Sequence, residues 1–266
     1  MDENQRMRLT LTRPVSPSIA RCELTHLGRA PIDLARAEAQ HAAYEQALRS
    51  LGCHVVRVAG AADLPDAVFV EDTAVVLDEV AVITRPGAAS RRPEIGPVAE
   101  ALARYRELRW IVEPGTLEGG DVLCAGRTLF VGRSSRSNDA GIRQLSDHVS
   151  PFGYTVVPVS VRDCLHLKSA VTLAAPDTFL LQPAWVARGW FGAAAVIDVD
   201  PQETFAANAL LAGDGVIYPA AFPRTRERLE AHGVRVLTVD VSELAKAEGA
   251  VTCCSLVFQE VDPGSA

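Results

Sequence analysis

One recurring unit constrains this chain more than any other feature. An apolar run meets a short polar turn and then a second apolar run. It occurs at Ala74–Leu77, Asp78-Glu79 and Val80–Thr84, and again at Val122–Ala125, Gly126-Arg127 and Thr128–Val131. It returns at Val171–Ala174, Pro176-Asp177 and Phe179–Leu181, and at Ala209–Leu211, Asp214-Gly215 and Val216–Tyr218. Each reads as a β-hairpin, and the hairpins follow one another at intervals of roughly 40–50 residues, the spacing of an internal structural repeat.

Helical segments lie between them. The clearest runs from Leu34 to Leu51, with Asp33 placed to cap it and Ala37, Ala43, Leu48 and Leu51 on one face. Others are expected at Pro93–Arg106, Ser137–Val149, Arg224–His232 and Ser242–Glu248, and several lead into strands at His54–Val58, Val156–Val159 and Val234–Val239. Cys254–Phe258 and Arg8–Thr12 supply the parts of a fifth unit from the two ends of the chain. Joined, they close a ring. The expected fold is therefore a closed α/β propeller of about five ββαβ-like units with fivefold pseudosymmetry. A plain α+β sandwich with evenly spaced hairpins satisfies the same periodicity.

No Pro/Gly/Ser-rich linker divides the 266 residues, so a single catalytic domain over 1–266 is expected, with flexible ends at about 1–6 and 259–266. A net charge of −7 offers no electrostatic footprint for nucleic acid or anionic lipid. No run approaches the roughly 20 apolar residues of a membrane span, and the polar N-terminus has no apolar signal region behind it. The six cysteines form no C-x-x-C pair, which disfavours zinc and a disulfide framework and fits free thiols in the cytoplasm. No metal or cofactor is expected, and the protein is expected to be a monomer or homodimer.

A polar or reactive group stands just before the first strand of each unit: Glu71-Asp72, Glu118-Gly119-Gly120-Asp121, His166-Leu167-Lys168-Ser169, Ala207-Asn208 and Thr252-Cys253. In a ring these strand ends converge on one cavity. The cavity would gather four carboxylates, an imidazole, an amide and a thiol. Carboxylates suit the N–H fork of a planar guanidinium. A thiol beside an imidazole is a nucleophile, because the thiolate attacks and a nearby cation favours it. Taken singly, each group has a plainer explanation. Cys253 in the apolar run Val251–Phe258 reads as a small buried hydrophobe, His166 as a core histidine, and Glu71-Asp72 as a solvated strand edge. Cys254 alternates to the opposite face from Cys253, so at most one of the two faces the cavity.

These residues resemble the dimethylarginine dimethylaminohydrolases of the guanidine-modifying (pentein) superfamily, from about Arg8 to Phe258. The resemblance rests on Asp66-Ala-Val-Phe-Val-Glu71-Asp72, Ile83-Thr-Arg-Pro-Gly-Ala-Ala-Ser-Arg91-Arg92 and Leu117-Glu-Gly-Gly-Asp-Val122. It continues through Phe130-Val-Gly-Arg-Ser-Ser-Arg136-Ser-Asn138, Leu165-His-Leu-Lys-Ser169, Ala206-Ala-Asn208 and Val251-Thr-Cys253-Cys-Ser255. It implies the fivefold propeller and a metal-free hydrolysis of Nω-methylated arginine, a small guanidino substrate, to citrulline and an amine. By position it implies Cys253 as nucleophile, His166 as general acid and base, and Glu118 as the carboxylate beside them. Glu71 and Asp72 would grip the guanidinium, and Arg91 and Arg136 the α-carboxylate. Asp66, with the backbone of Leu24 and Ala247, would hold the α-amino end.

The segment Cys22–Gly28 lies where the family has a mobile lid. Ala247 stands where better-known members carry a larger aliphatic, and residues 184–203 match poorly. Arginine deiminase-like chemistry, amidino transfer and a non-enzymatic ring of the same fold are the competing readings.

Overall fold

The computed structural model describes residues 7–260. Its β1 (Arg8–Thr12) is followed by α1 (Leu34–Ser50) and β2 (Cys53–Arg57). Asp33 caps α1 by accepting from the N–H of Arg36 at 3.1 Å, a contact worth about 1 kcal/mol. The buried stripe of α1 is Ala37, Gln40, His41, Tyr44, Glu45 and Leu48. Ala43, expected on that stripe, is exposed. Buried Glu45 is held there by Arg57 at 2.6 Å and by the Thr12 hydroxyl at 2.8 Å.

The next units follow one plan. β3 (Ala74–Val76) and β4 (Val80–Ile83) form a hairpin, a 3-10 turn runs into α2 (Ile95–Leu102), and β5 (Glu107–Trp110) lies parallel to β4. β6 (Val122–Ala125), β7 (Thr128–Arg133), α3 (Asp139–Val149) and β8 (Thr155–Ser160) repeat it. In the third unit a short α4 (Leu167–Ala170) precedes β9 (Val171–Ala175), β10 (Thr178–Leu181) and β11 (Ala195–Asp198), and its crossover is reduced to a 3-10 turn at Arg188–Phe191. β12 (Leu210–Ala212), β13 (Gly215–Pro219), α5 (Pro223–Ala231) and β14 (Val236–Val239) make the fourth. After α6 (Ser242–Ala245), β15 (Leu256–Gln259) pairs antiparallel with β1, which pairs parallel with β2.

Five three-stranded sheets result, each with its first two strands antiparallel and its last two parallel. The ring closes through the two ends of the chain, as the repeat requires. Middle strands β4 and β13 are buried along their whole length, which explains their continuous apolar sequence. The core is divided accordingly, one cluster joining Val80, Val82, Leu129 and Val131 to Ile142, Leu145 and Val149 of α3.

Some boundaries move. Residues 89–94 form a 3-10 turn, because Pro93 lacks the N–H that an α-helix would use. Gln259, expected in a flexible end, is a strand residue paired with Arg8. Glu260, in the same expectation, donates its N–H to the carbonyl of Met7 at 2.8 Å, and the rest falls on residues 1–6 and 261–266, outside the described residues. Among the described residues no helix is long and apolar enough to cross a membrane.

Candidate active site

The five segments that enter the first strands of the units meet at one end of the ring. A 3-10 turn at Val70–Thr73 carries Glu71 and Asp72, and a second at Gly119–Asp121 follows Glu118. A side chain at position 119 would place its Cβ 1.9 Å from the carbonyl oxygen of Glu71. At position 120 it would meet His166 Nδ1 at 2.7 Å. The two glycines let neighbouring units close to this distance.

His166 is buried, and its Nε2 lies 2.7 Å from Glu118 Oε2 and 3.9 Å from Asp72 Oδ1. Burial disfavours the imidazolium, yet Asp72 and the Glu118 hydrogen bond outweigh it and raise the pKa to about 9. Burial likewise opposes ionisation of Asp72, but His166 and Arg91 hold its carboxyl below the ordinary range. In Glu118 burial is overcome first by the His166 hydrogen bond. The trio is an ion cluster with the proton on the ring.

Asp72 Oδ2 also accepts from Arg91 Nη1 at 2.6 Å and its Oδ1 from the N–H of Gly120 at 3.0 Å. Glu71 makes a separate network. Lys168 Nζ lies 2.7 Å from its Oε1, and Thr252 Oγ1 donates to its Oε2 at 2.8 Å. Asn208 Nδ2 donates to Thr252 Oγ1 at 3.0 Å, and the N–H of Thr252 returns to Asn208 Oδ1 at 3.1 Å. Glu71, Lys168 and Thr252 line cavities at both ends of the ring, so this network is the floor between them. Burial pushes the Glu71 carboxyl up, against the pull of Lys168.

Cys253 is half-buried in a turn, not on the strand expected for it; β15 begins only at Leu256. Its carbonyl accepts from the N–H of Glu71 at 3.1 Å. Burial, then the charges of Glu71 and Asp72, push its thiol up to about 12. Cys254 is fully buried, its Sγ turned to the carbonyl of Ala250 at 3.5 Å. The cavity is thus open to Cys253, by turn geometry rather than strand alternation.

Cys253 borders two hollows. A small one of about 20 Å³ is lined by Asp66, Arg91, Arg136, Ala247, His166 and Cys253. A larger one of about 280 Å³ also contains His166, Glu71 and Cys253 in its wall. The predicted site residues are therefore brought together, with particular commitments. Arg91 is the most occupied, bonding Glu94 through Nε and Nη2 and Asp72 through Nη1. Arg136 is freer, donating to Thr25 Oγ1 at 2.8 Å and lying 3.5 Å from Glu118 Oε1. Asp66 accepts from the N–H of Glu23 at 3.1 Å, and Leu24 and Ala247 pack in one apolar cluster.

Asp121, grouped with the cavity carboxylates by sequence, is instead an internal brace. It accepts from the hydroxyls of Ser134 and Ser137 and from the N–H of Leu167. Lys168 and Glu94 received no role from the sequence, although Lys168 stands in the same motif as His166. Glu248 was missed outright. Its carboxylate accepts the N–H groups of Thr25, His26 and Leu27, at 3.0, 2.5 and 2.6 Å, and its own φ is +59°. Such a backbone in a non-glycine residue persists only where its surroundings fix it. Among the described residues, Asp72, Glu118 and His166 also form the one grouping close enough to hold a metal, with ligand atoms within 4.8 Å of one another.

A fivefold α/β ring with a thiol, an imidazole and carboxylates at its axis defines the guanidine-modifying, or pentein, class. Residues 29–173 match the family model for N,N dimethylarginine dimethylhydrolase, eukaryotic. The N(G),N(G)-dimethylarginine dimethylaminohydrolase of Streptomyces coelicolor is 42% identical, over 94% of this chain and 97% of its own. That of Pseudomonas aeruginosa is 36% identical, over 88% and 92%. The chain belongs to the dimethylarginine dimethylaminohydrolase family. The solved structure of a cysteine-to-serine mutant of the Pseudomonas aeruginosa enzyme with citrulline superposes with a TM-score of 0.90 at 32% identity, covering 96% of this chain and 100% of that one. A dimethylarginine dimethylaminohydrolase carrying an S-methyl-L-thiocitrulline adduct gives 0.90 at 33%, with the same coverage. The N-terminal domain of a cyanobacterial arginine dihydrolase, at 22% identity and a TM-score of 0.85, shares the fold.

Proposed function

We propose that this protein hydrolyses Nω-methylated arginines to citrulline and methylamine or dimethylamine through a covalent adduct on Cys253. The observation that carries this reading is that Cys253 and His166 border two adjoining hollows, one walled by Glu71 and the other by Asp72.

In the free protein burial, and after it those carboxylates, hold the thiol neutral. A guanidinium between them neutralises their charge, which removes the main electrostatic obstacle to the thiolate. Thiolate attack on the guanidinium carbon forms a C–S bond. The C–N bond to the methylated nitrogen then breaks, and that nitrogen takes the proton of His166 and departs as the free amine. His166, now neutral, draws a proton from water, whose oxygen bonds to the thiouronium carbon. The C–S bond breaks, the thiol is restored and citrulline leaves. Glu118 orients the ring throughout, and Asp72 with Glu71 positions the planar cation. Arg136 and Arg91 serve the α-carboxylate, Arg91 by sharing donors now given to Glu94. Asp66 serves the α-amino end, with the backbone of Leu24 and Ala247. The six free cysteines support a reducing compartment, and we place the protein in the cytoplasm.

A panel of monomethylarginine, asymmetric dimethylarginine, arginine and small guanidines tests the reading, with citrulline and amine both measured. Turnover of the methylated arginines that is lost in Cys253→Ser supports it. Turnover of free arginine alone moves the assignment to a deiminase, and a new guanidine in place of citrulline moves it to amidino transfer.

A further inference from the structure

The two hollows beside Cys253 differ in chemistry. Leu165, His166, Glu248, Gly249 and Cys253 border both. The charged residues Asp66, Arg91 and Arg136 border only the small one. Trp185, Phe205 and Phe222 border only the large one, with Pro219 and Ala221 between them. With the amino-acid end toward Arg136, as the hydrolase reading has it, the substituent on the departing nitrogen is left the large hollow, a chamber whose wall carries Glu71 and Lys168 beside these aromatics.

The chamber far exceeds what methyl groups need. At about 280 Å³ it has room for about nine water-sized groups. Its rim is built from aromatic surface as well. Buried Trp185 packs edge-on against Phe205, with ring centroids 5.3 Å apart, and Phe205 is 60% exposed.

We propose that this chamber receives the substituent on the departing nitrogen, and that Trp185, Phe205 and Phe222 admit alkyl or aryl groups much larger than methyl. The inference rests on the hydrolase reading above. The chemistry is unchanged: the C–N bond to the bulky amine breaks, that amine takes the His166 proton, and water releases citrulline.

The test compares kcat/KM for Nω-methyl-L-arginine and Nω-benzyl-L-arginine in the full chain and in Phe205→Asp, with circular dichroism and thermal unfolding checking the fold of the variant. In the parent protein the benzyl substrate is expected within about twentyfold of the methyl one, and Phe205→Asp is expected to lower the benzyl-to-methyl ratio about tenfold or more. A parent ratio below that bound, or a ratio that Phe205→Asp does not lower, overturns the proposal. The second result would place the amino-acid end in the chamber. Citrulline from the methyl substrate alone overturns only the chamber, whereas citrulline from neither overturns the hydrolase reading with it.

Discussion

His166 Nε2 and Glu118 Oε2 lie 2.7 Å apart with both side chains buried, and this hydrogen bond orients the imidazole while Asp72 and Glu118 together hold it charged. The folded-state pKa of about 9 exceeds the ordinary 6.5. The stabilisation from the charged ring is therefore full below about 6.5 and is lost as the pH climbs through about 9. Denaturant unfolding of the parent and His166→Gln across this window should give a stability difference that shrinks as pH rises. A constant difference would mean the ring is neutral in the folded protein.

The same variant should lose hydrolysis by about a thousandfold, within the usual range for removing a general acid and base. With a substrate whose leaving group departs without a proton, such as S-methyl-L-thiocitrulline, His166→Gly is expected to form the adduct and fail to discharge it. Mass spectrometry of the protein after incubation with substrate would detect the trapped adduct. Rapid discharge in that variant would assign the second proton transfer elsewhere.

Cys253 provides a direct electrostatic test. With its thiol pushed up to about 12, the free protein should react with iodoacetamide slowly, and the rate should keep rising with pH through the alkaline range. An unreactive guanidinium ligand should move the thiolate absorbance of the protein to lower pH. A plateau in alkylation near neutral pH in the free protein would contradict the carboxylate effect.

Lys168 neutralises Glu71 in the floor of the site, where both side chains are largely buried. Lys168→Met strands a buried carboxylate. A loss of about 3 kcal/mol in unfolding free energy is expected. The double variant Lys168→Met/Glu71→Gln should recover much of it, because no charge is then left uncompensated. Equal losses in the single and double variants would point to packing instead.

Gly119→Ala should be among the most damaging small substitutions in the chain. Its Cβ would overlap the carbonyl oxygen of Glu71, and both groups are backbone-fixed. A cost of about 3 kcal/mol is expected, together with displacement of Asp72 from His166 and loss of activity. Gly126→Ala, at a hairpin turn with open space around it, should cost less and leave activity nearly intact; its φ of +58° is its only demand.

The sequence by itself determined the repeat. Paired apolar runs with polar turns at a fixed interval mark one structural unit used several times, but an α+β sandwich fits that period as well, and closure into a ring is decided by the pairing of β15 with β1. It also determined which residues stand at the strand ends, since Glu71, Asp72, Glu118, His166 and Cys253 each precede the first strand of a unit. The tertiary structure decided which of them touch. Asp121 and Asp72 look alike in the chain, yet one braces two serines and the other faces the imidazole. Lys168 bonds Glu71 and Glu248 binds three N–H groups of the 25–27 segment across separations of 97 and more than 220 residues. Local periodicity carries no record of such partners. The Lys168–Glu71 pair is fixed by the desolvation of charges at the axis, where a buried ion must find its counter-ion among whatever the ring brings near.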